Sequence, residues 1–141
     1  MKNQDYWMDK AIELSIEGKT PFGAVIVNEK DDHVGAFNTT KADGPTAHAE
    51  INVIQKLKEL EYNDAEKLTL YSTVEPCPMC MSAIVWAGIG KVVFGATIED
   101  ASEVGHQINI SSQQVADQSW YDILITQGVE RERCKLLLKD K

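Results

Sequence analysis

Short β-type runs alternate with helical stripes along most of this chain, and alternation of that kind implies a sheet covered by helices on both faces. Between Asp5 and Gly18, Trp7, Ala11 and Leu14 fall on one stripe with Met8, Ile12 and Ile16 beside it, which predicts an amphipathic helix stopped by Gly18. Gly23 to Val27 and Val34 to Phe37 flank the turn residues Asn28 to Asp32 and read as a β-hairpin. Asn38 to Pro45 reads as a loop, and Ala47 to Leu60 as a helix carrying Ile51, Ile54, Leu57 and Leu60. Leu68 to Thr73 predicts a strand, Cys77 to Ala87 an apolar helix and Lys91 to Gly95 a further strand. Residues 96–118 are polar and irregular, with a short helix near Ser112 to Asp117. Ile123 to Thr126 closes the set of strands and Glu130 to Leu138 the set of helices. The fold class is α/β, and the 141 residues suit a single domain, 1–141.

The chain carries 14 basic and 22 acidic residues, a formal charge of −8, which disfavours a partner bound through its phosphate backbone. The imbalance is uneven: residues 1–75 carry 8 basic and 14 acidic groups, 76–130 carry 1 and 6, and 131–141 carry 5 and 2. The basic tail reads as a solvated helix end, because cations suit a helix C-terminus. With no 18-residue apolar run and no apolar stretch after Met1, neither a membrane span nor a secretory leader is expected. Three cysteines make no disulfide framework. The expectation is a soluble, cytoplasmic protein.

Two short motifs carry the chemistry: His48-Ala49-Glu50 and Pro76-Cys77-Pro78-Met79-Cys80, each opening a predicted helix. Cys77 and Cys80 stand at i and i+3, so both sulfurs share one helical face. A helix N-terminus also favours thiolates, the form that binds metal. Two thiolates and one imidazole leave the fourth tetrahedral position open, the pattern of catalytic rather than structural zinc. Taken alone, C-x-x-C is also compatible with a redox pair, the histidine with a helix cap and Glu50 with a solvated carboxylate. The conjunction resembles the H-x-E…P-C-x-x-C signature of zinc nucleobase deaminases.

With Pro45-Thr46-Ala47-His48-Ala49-Glu50-Ile51 and Glu75-Pro76-Cys77-Pro78-Met79-Cys80, the chain resembles the cytidine deaminase-like superfamily, in the branch of guanine deaminases and tRNA adenosine deaminases. The similarity runs from Pro21 to about Leu137. It implies a three-layer α/β/α fold with a central mixed sheet of about five strands, and a homodimer. It also implies that His48, Cys77 and Cys80 bind Zn2+ and that Glu50 shuttles protons. Zinc lowers the pKa of its water to ~7, so hydroxide is available at neutral pH to attack the ring carbon and release ammonia.

Resemblance also supplies the substrate candidates. Phe22 after Pro21, and Asp100 within Asp100-Ala101-Ser102-Glu103-Val104-Gly105, resemble guanine deaminases; Asp100 is thereby a second acid/base candidate. Asn38, ten residues before His48, matches an asparagine that contacts the substrate ring. Trp86 is a candidate base contact or a core residue, and His106 a candidate for stacking on the base. Gln127-Gly128-Val129 through Cys134 looks more like tRNA deaminases, although the basic and aromatic tail expected of those enzymes is not found before Lys141. The expected activity is therefore hydrolytic deamination of a small purine base or nucleoside, guanine leading, within purine metabolism. The alternatives are wobble-adenosine deamination in tRNA, disfavoured by charge, and a non-catalytic zinc scaffold.

Overall fold

The computed structural model describes residues 2–139. Its elements are α1 (Gln4–Glu17), β1 (Gly23–Val27), β2 (His33–Phe37), α2 (Thr40–Asp43), α3 (Ala49–Gln55), β3 (Thr69–Val74), α4 (Pro78–Ala87), β4 (Lys91–Ala96), α5 (Ile98–Ser102), α6 (Ser112–Asp117), β5 (Leu124–Thr126) and α7 (Arg131–Lys139). The five strands form one mixed sheet in the order β2-β1-β3-β4-β5. The hairpin expectation holds, with Gly23 opposite Phe37 and Val27 opposite His33 in antiparallel register. β1 is antiparallel to β3, whereas β3–β4 and β4–β5 run parallel.

Side chains alternate across the sheet, as strand geometry requires. Val25, Val27, Tyr71 and Val93 join Trp7, Met8, Ala11 and Ile12 of α1 and Cys134 and Leu138 of α7 in one core cluster. Ala24, Ile26, Leu70 and Val92 pack on the opposite face with Val53 of α3, Met81 and Ile84 of α4 and Ala116 of α6. The arrangement is thus α/β/α, as expected. Gly23 is required where α1 crosses the sheet, because a Cβ there would overlap the carbonyl oxygen of Ala11. Gly88 ends α4 in the left-handed conformation at φ 81°, a conformation that costs a non-glycine residue strain.

Three expectations about elements need correction. The helix predicted over 47–60 stops at Gln55 and gives way to a 3₁₀ turn at Leu57–Glu59. Ile54, Leu57 and Leu60 are three apart, a spacing that a 3₁₀ turn keeps on one side as an α-helix does. The irregular stretch after β4 contains α5, opened by a capping box in which Thr97 and Asp100 exchange side-chain-to-backbone bonds. The loop over 38–45 contains the single helical turn α2. Among the described residues, no helix is long and apolar enough to cross a membrane.

Candidate active site

β3 and β4 are parallel and end side by side at Val74 and Ala96, with the Glu75 N–H bonded to the Ala96 carbonyl at 2.8 Å. The segments that leave these carboxyl ends build the site, in the crevice position that parallel sheets favour. His48 is the N-cap of α3 and Cys77 the N-cap of α4, both with extended backbone and neither using its side chain as a cap. Their side chains are therefore free to project beyond the helix ends, and Cys80, one turn into α4, joins them from below. Pro78, at the first helical position, supplies a pre-set φ exactly where no intrahelical N–H bond would be made.

His48 Nδ1 lies 3.8 Å from Cys77 Sγ and 3.5 Å from Cys80 Sγ. Ligands at zinc distances of ~2.1 Å (nitrogen) and ~2.3 Å (sulfur), spread tetrahedrally, are about 3.6 Å apart. The three donors thus fit a zinc ion without rearrangement, and the expected ligand set is brought together; all three donor atoms lie within 4.8 Å of one another. Contact with Cys80 and His48 lowers the Cys77 thiol to about 4, while the same sulfur contact and burial raise Cys80. Two sulfurs this close ionise together only when a cation offsets their charge, which is what a divalent metal provides. The Cys77 contact also raises His48.

Glu50, in the first turn of α3, is only 6% exposed. Burial pushes its carboxyl up to about 7, so it is poised to exchange protons near neutrality. His48, Glu50 and Cys77 share the wall of a cavity of about 270 Å³ with Phe22, Asn38, Thr40, Glu75, Val104, His106 and Leu138. Asn38 Oδ1 accepts from Thr40 N and Oγ1, both at 3.0 Å, which leaves its amide nitrogen as the group to offer a ligand. The loop that carries Asn38 is tied to α3 by Asn52, whose amide donates to the Phe37 carbonyl and Thr39 Oγ1 at 2.9 Å and to the Ala47 carbonyl at 3.3 Å.

Two candidates fall outside this cavity. Asp100 lies beside it but does not line it; its oxygens accept from Thr97 N at 2.9 Å and from Arg131 Nε and Nη2 at 3.0 Å. The Arg131 guanidinium holds the Asp100 carboxyl down at about 2, far from the range of a proton shuttle at neutral pH. Trp86 is neither a base contact nor a core residue. It is 79% exposed, because its step along α4 turns it away from the inward row of Cys80, Met81 and Ile84. Its ring meets Trp120 at a centroid distance of 5.1 Å on the outer surface.

Four residues in or beside the site went unassigned in the sequence. Glu75 stood inside a motif without a role, and Asn52 and Leu138 looked like ordinary helix positions. Arg131 looked like part of a solvated basic tail.

A family model described as the cytidine and deoxycytidylate deaminase zinc-binding region matches residues 1–96. The chain is 40% identical over 112 residues to a guanine deaminase from Bacillus subtilis (strain 168), covering 73% of this chain and 70% of that one. It is 32% identical over 140 residues to a tRNA-specific adenosine deaminase of the same organism, covering 95% and 85%. A solved guanine deaminase from Nitrosomonas europaea shares the fold at a TM-score of 0.81, with 22% identity over 99% of this chain and 85% of that one. Match, fold and metal-ligand geometry agree: the chain belongs to the cytidine and deoxycytidylate deaminase family of zinc-binding hydrolytic deaminases.

Proposed function

We propose that this enzyme hydrolytically deaminates a free purine base, guanine in the first place. The observation that carries the reading is Glu50, a buried carboxyl that lines the cavity beside the His48–Cys77–Cys80 triplet and is not itself one of the three clustered donors. Similarity to the B. subtilis guanine deaminase supports the choice of base.

Zinc held by the three donors would supply Lewis acidity and lower the pKa of a bound water to ~7. Glu50 takes a proton from the attacking water and delivers it to a ring nitrogen as the C–O bond forms. A second proton passed through Glu50 goes to the amino group, the C–N bond breaks, and ammonia leaves a ring that now carries a carbonyl. Asn38 offers its amide N–H to a ring acceptor, Phe22 covers one apolar face of the base, and His106 closes the mouth of the cavity.

A second reading, deamination of wobble adenosine in tRNA, is favoured by the similarity over 140 residues to a tRNA-specific adenosine deaminase. The charge of −8 weighs against it, since a polynucleotide substrate needs basic side chains along its path. An ammonia-release panel separates the two: guanine, guanosine, adenine, adenosine, cytosine, cytidine and an anticodon stem-loop. Turnover of guanine supports the reading, and turnover of the stem-loop alone refutes it.

Trp86 and Trp120, 79% and 67% exposed, form an apolar patch suited to a second copy of the chain. The functional unit in this reading is a homodimer joined there. A cytoplasmic location, where thiols are kept reduced, suits Cys77 and Cys80, which are not bridged to each other.

A further inference from the structure

The outer wall of the cavity, residues 98–112, is fastened by contacts that involve no substrate. Glu75, immediately before Pro76 and Cys77, accepts from Ile98 N at 3.0 Å through one carboxylate oxygen. Through the other it accepts from Ser112 N at 2.9 Å and Ser112 Oγ at 2.7 Å. One side chain thus holds both ends of the wall to the segment that carries a metal ligand.

Between those ends, Asp100 receives two parallel bonds of 3.0 Å from Arg131, the first residue of α7. A bidentate fork fixes orientation as well as separation. Ala101, Val104 and His106, which follow Asp100, line the cavity, and so does Leu138 from the far end of α7. The pair therefore locks together the two elements that face the metal ligands across the cavity.

We propose that the Asp100–Arg131 ion pair is a positioning device: it sets where Ala101, Val104 and His106 stand relative to Glu50 and thereby governs how tightly the base ring is gripped. Neither residue touches substrate. The inference rests on the deaminase reading of the cavity and adds to it a determinant of substrate fit whose own side chains do not line the cavity.

The test uses the zinc-loaded full chain and four variants: Asp100→Asn, Arg131→Gln, the double variant and Arg131→Lys. Two readouts are taken, steady-state kinetics and amide hydrogen exchange over 98–107 with 78–87 as the internal control. Arg131 is exposed, so its replacement leaves the fold intact even where Asp100→Asn is harmful. The expected result is a rise in KM of about tenfold with kcat within about twofold in both single variants, and no larger effect in the double variant. Exchange quickens over 98–107 and not over 78–87, and Arg131→Lys recovers only part of the loss because it lacks the fork. A fall in kcat of about 10²-fold or more in Asp100→Asn, with Arg131→Gln near wild type, overturns the proposal and makes Asp100 a proton-transfer group. Additive single effects, or unchanged exchange, overturn it too. If wild type releases no ammonia from any base, the deaminase reading fails separately, and the exchange measurement still decides whether the pair holds the wall.

Discussion

At the residue scale, the proposed chemistry rests on Glu50, whose carboxyl burial pushes up to about 7, and on three donors already spaced for a metal. Glu50→Gln retains the shape and removes the proton carrier. It is expected to bind zinc in full by metal analysis while ammonia release falls by about 10²- to 10⁴-fold. Full activity in this variant would disprove the proton-transfer role. Asp100 makes a different prediction, about pH. Its carboxyl sits at about 2 in the folded chain, against an ordinary value of 3.8. A depressed carboxylate contributes stability that is present above its unfolded value and lost as pH falls through its folded value. Wild type should therefore exceed Asp100→Asn in urea midpoint at pH 5, with the gap closing between about pH 4 and pH 2. A gap that is constant over that interval contradicts the ion pair.

At the scale of elements, α4 matters most, since it holds both cysteine ligands against the sheet. Its C-terminal end is fastened by one hydroxyl: Tyr121 donates to the Ile89 carbonyl, just past α4, at 2.9 Å, with the Val85 and Ile84 carbonyls nearby at 3.3 and 3.4 Å. Tyr121→Phe should cost about 0.5–1.5 kcal/mol in denaturant unfolding, with the metal content unchanged. What was legible in the sequence follows from locality. His48, Glu50, Cys77 and Cys80 sit in two short motifs, each at a helix start, so both the ligand set and the helix placement could be inferred from neighbouring residues. The strands were legible because apolar runs between turn residues leave few alternatives. The Asp100–Arg131 pair was not, because its partners are 31 residues apart and meet only after α5 and α7 pack. α5 itself has five residues, too few to show a helical period. Trp86 was misjudged for a related reason: an aromatic residue on a helix looks the same in sequence whether it faces a pocket, a core or an unpaired surface.

For the molecule as a whole, the metal triplet joins α3 to α4, and its loss should be felt beyond the site. Removing zinc with a chelator is expected to lower the thermal midpoint and to abolish turnover, and restoring zinc should recover both. The Trp86–Trp120 surface gives an independent prediction: Trp86→Glu should shift the protein from dimer to monomer in sedimentation. A wild type that is already monomeric would contradict the dimer. The most direct test of purine deamination is kcat/KM of the zinc-loaded enzyme for guanine, measured alongside an anticodon stem-loop and repeated with Glu50→Gln. The expected result is guanine turnover that far exceeds any on the stem-loop and is lost in the variant. Turnover of the stem-loop with none of guanine would contradict it.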